Sequence, residues 1–146
     1  VEVAVDTETG LIEITDHFGG SDAGTIMNPR AAYNQMTSFF AGLDVAIREE
    51  TVWDKWDNKV LNPNLIEYKA RTFNEAPPHD HVCLESTKGR ESDFPFGAMG
   101  IGEPIISPSG PAITMAVYNA CGIELEEYPY LPAKVLAALK EKEDRA

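Results

Sequence analysis

The chain has 146 residues, 43% of them hydrophobic and 25% charged, with two cysteines, values that fit one domain with a core of its own and no need of disulfides or a structural metal. Twelve Lys and Arg stand against 24 Asp and Glu, a formal charge of −12, and without clustered cations or a long apolar run the composition excludes nucleic acid as a main partner and a membrane span. No targeting segment and no initiator Met precede Val1, so the expectation is a cytoplasmic chain that is a piece of something longer or a split subunit.

Apolar and polar residues alternate on both sides of Thr7-Glu8-Thr9-Gly10, which predicts a β-hairpin. A glycine-bearing stretch from His17 to Gly24 then reads as loop, with Asp22 as a turn residue. Asn28-Pro29 predicts a helix start, because Asn caps and Pro suits the first position. From there Met36, Phe39, Phe40, Leu43, Ala46 and Ile47 recur at three and four, so one face is buried up to about Glu50. Thr51 to Trp56 reads as a short strand in which Trp53 and Trp56 pack, Tyr68 to Pro78 as loop, His81 to Glu85 as a strand, and Thr87 to Asp93 as a polar turn. Four glycines and four prolines between Phe94 and Pro111 predict a shaped loop, neither helix nor sheet. Ala112 to Ala120 predicts a helix capped by Gly122. Ile123 to Tyr130 is a short strand or extended link, and Pro132 opens a last helix whose KEKEDRA end frays into solvent. The sum is an α+β fold of short mixed strands, about three helices and a glycine/proline-rich loop that would carry the site.

That loop, Phe96-Gly97-Ala98-Met99-Gly100-Ile101-Gly102-Glu103-Pro104, places an acid after three glycines that let backbone approach a ligand. Ile101, Pro104, Ile105 and Ile106 around Glu103 predict an apolar enclosure that would raise its pKa toward the range of a general base. A tight loop crossing with Glu103 in solvent is the competing reading, and glycine content does not choose between them. The spacing GxxGxG is not the dinucleotide fingerprint. Gln35 lies on the long helix among apolar residues, either as a satisfied amide or as a ligand-facing one. His79-Asp80-His81 lacks a further metal ligand nearby and reads as a solvated loop. Cys83 and Cys121 have no CxxC spacing and read as small, half-buried hydrophobes.

PFGAMGIGEP resembles the PFGAKGVGEP loop of the xanthine dehydrogenase and aldehyde oxidoreductase family of molybdenum hydroxylases. Three further blocks resemble that family in the same order: Asp22 to Pro29 its DxGxxINP block, Val60 to Lys69 its LNPNLLDYK block, and Gly110 to Leu139 its closing pattern. The resemblance implies that residues 1–146 are the C-terminal portion of a molybdopterin-binding domain. It implies that Glu103 is the catalytic glutamate, the base that takes the proton as a metal-bound oxygen attacks an electrophilic carbon. Gln35 falls on the glutamine of the family's EGQ block, which contacts the pterin, and Ala98, Met99, Gly100, Ile101 and Gly102 fall on the loop that lines the cofactor. No residue of this chain is expected to bind the metal directly.

Met99 replaces a common lysine, and Tyr33 to Phe40 departs from the glycine-bearing continuation EGQIEGG, which puts the helix geometry there in question. The resemblance further implies a molybdenum-molybdopterin cofactor, in its cytosine dinucleotide form in many bacteria, with [2Fe-2S] clusters and FAD on partner chains. Two cysteines cannot hold one such cluster, so the implied partners are a larger molybdopterin-binding subunit, an iron–sulfur subunit and a flavin subunit. The implied substrate is a small aldehyde or N-heterocycle, and the chain alone is expected to be inactive. The rival expectation is a non-catalytic assembly or docking subunit of the same kind of complex.

Overall fold

The computed structural model describes residues 1–76, 81–86, 89 and 93–145. His79 and Asp80 and most of the expected turn at 87–93 lie outside the described residues. The predicted hairpin is present: β1 (Glu2–Val5) and β2 (Ile12–Asp16) pair antiparallel, with Val3 opposite Ile14 and Val5 opposite Ile12. The turn is held by Asp6, whose carboxylate accepts the N–H groups of Glu8 and Thr9 at 2.8 and 3.1 Å. Those bonds favour the charged carboxylate and lower the Asp6 pKa.

The glycine-bearing stretch expected to be loop is instead β3 (Phe18–Asp22), paired in parallel with the predicted strand β4 (His81–Glu85). Its glycines have low strand propensity, so the pairing is dictated by a partner some 60 positions away and by packing against helix. His17 precedes it. His17 is 5% exposed, and its ring stacks on Phe39 with centroids 3.6 Å apart and planes 6° from parallel. Burial lowers its pKa and so favours the neutral ring.

The first helical unit begins as predicted. Asn28 accepts from the Ala31 N–H at 3.1 Å and Pro29 opens α1 (Pro29–Gln35). A 3₁₀ turn, Met36–Ser38, then tightens the path before α2 (Phe39–Ile47). Met36, Phe39, Leu43, Ala46 and Ile47 are buried, as their spacing predicts, and they form the core with Ile14, Ile105, Ile113, Val117, Ile123, Tyr130 and Val135.

The expected strand Thr51 to Trp56 is not formed. Trp53 and Val60 make a single bridge around a turn in which Asp54 accepts from the Trp56 and Asp57 N–H groups. The side-chain acceptor competes with strand pairing and wins. Trp56 is 94% exposed and Trp53 53%, so neither packs as expected within this chain. After α3 (Leu65–Tyr68), the loop-rich segment is tied down by charge. Arg71 Nε bonds Asp44 Oδ1 at 2.7 Å and the Arg71 N–H bonds Asp44 Oδ2 at 3.0 Å, both side chains being almost fully enclosed. Arg48 pairs with Glu75 at 2.8 Å.

Glu75 also accepts from the Thr72 hydroxyl and N–H, and these bonds, with Arg48 beside it, lower its pKa from 4.5 to about 2. A carboxylate depressed by folding stabilises the fold above its unfolded pKa and loses that contribution as pH falls through the folded value. Glu75→Gln is therefore expected to flatten the dependence of urea midpoint on pH between about 4.5 and 2, and an unchanged slope would contradict the assignment.

The region from Phe94 to Pro111 is more helical than expected. After a turn at Pro95–Gly97, α4 (Glu103–Ile106) makes one turn and α5 (Ser109–Cys121) begins at once. Pro104 and Pro111 occupy first-turn positions, where the missing N–H costs nothing. Gly122 caps α5 in the left-handed region, φ 66°. Ile123 to Tyr130 is an extended link with no strand. The last helix, α6 (Pro132–Asp144), runs through the tail expected to fray. Lys142 Nζ donates to the Cys121 carbonyl at 2.6 Å, which anchors that end of α6 on the C-terminus of α5. The fold class is α+β, as the sequence predicts, and no helix among the described residues is long and apolar enough to cross a membrane.

Candidate functional site

The glycine loop reaches its place by pairing with the segment after β3. Gly24 and Ala98 form an antiparallel bridge; the Thr25 N–H donates to Gly97 O at 2.8 Å and the Met99 N–H to Ala23 O at 3.0 Å. Asp22 does act as a turn residue, accepting from the Gly24 N–H at 2.9 Å. Gly24 is held at φ +60°, and a Cβ added there would lie 2.1 Å from Gly97 O. Phe96, at φ 58°, is a non-glycine residue in the left-handed region, a local cost that the surrounding pairing must offset. Gly24→Ala is expected to destabilise the fold by about 1–3 kcal/mol, read as a lower urea midpoint; a midpoint unchanged from wild type would mean the two segments can separate freely.

Past Met99 the loop opens. A Cβ at Gly100 would meet no atom within 4 Å, and one at Gly102 would find only the Gln35 Oε1, at 3.9 Å. The backbone N–H groups of Gly100, Ile101 and Gly102 have no hydrogen-bond partner among the described residues. Gln35 stands at the C-terminal end of α1, exposed rather than among apolar residues, where the 3₁₀ turn begins. The departure at Tyr33 to Phe40 thus coincides with a real change of helix type, and that change sets Gln35 beside the loop.

Glu103 follows as the first residue of α4. Its position is fixed from behind: Ile105 is in the core, Glu103 O accepts from the Ser107 N–H at 3.2 Å, and the Ile106 carbonyl lies against Gly42 of α2. A Cβ at Gly42 would sit 2.4 Å from Ile106 O and 2.7 Å from Ser109 Cβ. The side chain itself is exposed, with Pro104 exposed beside it. The apolar enclosure expected of Glu103 is therefore not supplied by these residues, because Ile105 and Ile101 turn inward to the core.

The predicted set thus divides. Gln35 lies beside Gly102, and Gly100 and Glu103 are exposed on either side of it in the chain, whereas Ala98 and Met99 are spent on pairing with residues 23–25 and Ile101 on packing. Ala23, Gly24 and Thr25, which position the loop, were not singled out from the residues as site-building; the glycine in Asp22 to Thr25 was the available signal. Among the described residues no group of three His, Cys, Asp or Glu could hold a metal.

Residues 1–77, more than half of the chain, match the molybdopterin cofactor-binding domain family. The chain belongs to that family. It is 32% identical over 140 residues to a probable hypoxanthine oxidase of Escherichia coli K12, covering 95% of this chain and 14% of that protein. It is 31% identical over 140 residues to the molybdenum-binding subunit of an aldehyde oxidoreductase of the same organism, covering 95% of this chain and 19% of the relative. The chain therefore spans less than one-fifth of the length of these curated relatives. The aldehyde oxidoreductase of Desulfovibrio gigas superposes with a TM-score of 0.75 at 29% identity, over 94% of this chain and 15% of that one. Quinoline 2-oxidoreductase of Pseudomonas putida 86 shares the fold, with a TM-score of 0.81 at 22% identity over 95% of this chain and 18% of its own.

A molybdopterin group offers carbonyl, ring-nitrogen and phosphate acceptors. The stretch at 100–102 presents backbone donors without a partner among the described residues and, across from Gly102, an amide that can both donate and accept. The residues present fit the group.

Proposed function

We propose that these residues are the C-terminal portion of the molybdopterin-binding subunit of a molybdenum hydroxylase, acting on a small aldehyde or N-heterocycle. The observation that carries the reading is the placement of the Gln35 amide 3.9 Å from the Cβ position of Gly102, immediately before Glu103. Gln35 and the N–H groups of residues 100–102 would hold the pterin, in its cytosine dinucleotide form or without the nucleotide. When bound, the group supplies the two-electron oxidation and the oxygen delivered to substrate. Glu103 would accept the proton released in that step. Ile105, buried under α4, and the Ile106 carbonyl against Gly42 hold the backbone that aims it.

Because Glu103 is exposed in these residues, the rest of the subunit must close over it to exclude water. [2Fe-2S] clusters and FAD on iron–sulfur and flavin subunits would carry electrons away. Elemental analysis of the native complex captured through this chain, with intact masses of the co-purifying polypeptides, tests the reading. Molybdenum together with iron and larger partners is expected; a complex without metal would overturn it. Gln35→Ala is expected to lower molybdenum retained per complex about 2–10-fold, the equivalent of one hydrogen bond, and full retention would remove Gln35 from the site.

The exposure of Glu103, with Phe73 at 96% and Leu65 and Ile66 at 81%, favours one second reading, a docking subunit of such a complex without a catalytic acid. Turnover of the Glu103 variant separates the two.

A further inference from the structure

Among the described residues the hairpin is a sheet of two strands, and two strands alone are marginal in water. Its outer edge is chemically unfinished. The Asp6 N–H donates to Leu11 O at 2.9 Å, which makes Asp6 and Leu11 a hydrogen-bonded pair. Bonded and non-bonded pairs alternate along an antiparallel ladder. Val5 with Ile12 and Val3 with Ile14 are then non-bonded pairs, and the backbone N–H and C=O of Ile12 and Ile14 point away from β1. Those outward groups meet no partner among the described residues.

A groove of about 780 Å³ runs along this hairpin, between Leu11–Ile14 on one side and Arg71, Asn74 and Glu75 on the other. Both cations among its described lining residues are already committed, Arg71 to Asp44 and Arg48 to Glu75, so these residues offer no free positive charge to an anionic small molecule. What it offers is a row of backbone donors and acceptors at strand spacing beside apolar side chains, the recognition chemistry of an added β-strand. The relatives, of which this chain spans 14% and 19%, have ample further polypeptide to supply one.

We propose that an extended segment of the molybdopterin-binding subunit outside residues 1–146 adds to the edge of β2 as a third strand, through the backbones of Ile12 and Ile14. The inference does not depend on Glu103, and its test reads neither turnover nor metal. Amide-resolved hydrogen exchange on the intact complex is expected to show Ile12 and Ile14 protected about a hundredfold or more, like Glu13, whose N–H is bonded within the hairpin. A photoreactive phenylalanine analogue at Leu11, which is 58% exposed, is expected to cross-link to the same subunit outside residues 1–146. Exchange of Ile12 and Ile14 near unprotected rates would overturn the proposal. So would a cross-link to a second copy, to another subunit or within residues 1–146.

Discussion

Replacing Glu103 by Gln in the assembled complex is expected to lower kcat by about 10²–10⁴-fold, the range over which a positioned general base contributes, while molybdenum and pterin content stay at the wild-type level. Gln keeps the size and hydrogen-bonding reach of the side chain and removes only its ability to take a proton. The substitution should be silent for folding, because the side chain is exposed and the backbone of α4 is held by Ile105 and by the bond from the Ser107 N–H to Glu103 O. Glu103→Asp retracts the carboxylate by one methylene and is expected to lose much of the same activity, since proton transfer requires near-contact geometry. Steady-state turnover with metal content measured on the same samples decides the matter. Activity near wild type in the Gln variant would leave Glu103 without a catalytic role.

Asp44→Ala should give the largest loss of stability. The Asp44 side chain is 5% exposed and that of Arg71 10%, and truncating one member leaves the other buried without its counter-charge, a cost of about 3–5 kcal/mol. The Asp44 side chain also accepts the Arg71 backbone N–H, and Arg71 Nη1 in turn donates to Glu75 O. Losing Asp44 therefore frees the whole Arg71–Glu75 turn from α2. Urea denaturation should show a lower midpoint at similar slope, and hydrogen exchange should rise first between Arg71 and Ala76. An unfolding free energy within about 1 kcal/mol of wild type would show that water replaces the carboxylate without penalty.

Local signals in the sequence specified the elements whose physics is local. The Thr7 to Gly10 turn, the Asn28-Pro29 start, the buried stripe from Met36 to Ile47 and the Gly122 cap could all be read from neighbours within four residues. Phe18–Asp22 could not, because a glycine-rich strand owes its conformation to β4, which is distant in sequence. The Thr51 to Trp56 alternation looked like a strand but lost to the Asp54 side chain. Prolines between Phe94 and Pro111 read as helix breakers, although two of them sit where helices tolerate them. Of the candidate site, the glycine loop and its acid stood out by composition, but the adjacency of Gln35 to Gly102 depends on a 3₁₀ turn and on the bridge from Gly24 to Ala98, and no spacing rule contains either. Between the enclosed and the solvent-exposed Glu103 that the sequence leaves open, only the fold decides: Ile101 and Ile105, next to it in sequence, face the core while the acid is exposed.

Gly42 and Gly24 together limit how this region can vary. At both positions the smallest side chain that could replace hydrogen already collides with a backbone carbonyl, Ile106 O in one case and Gly97 O in the other. These are atoms that no rotamer change can move aside. The stretch carrying the acid is thus clamped at both ends by contacts that tolerate no added atoms, while the surface between them at Gly100 faces open space. Random mutagenesis of this region should accordingly recover variants of wild-type stability freely at position 100 and only destabilised ones at 24 or 42, so the open rim can diversify without disturbing the frame that holds it.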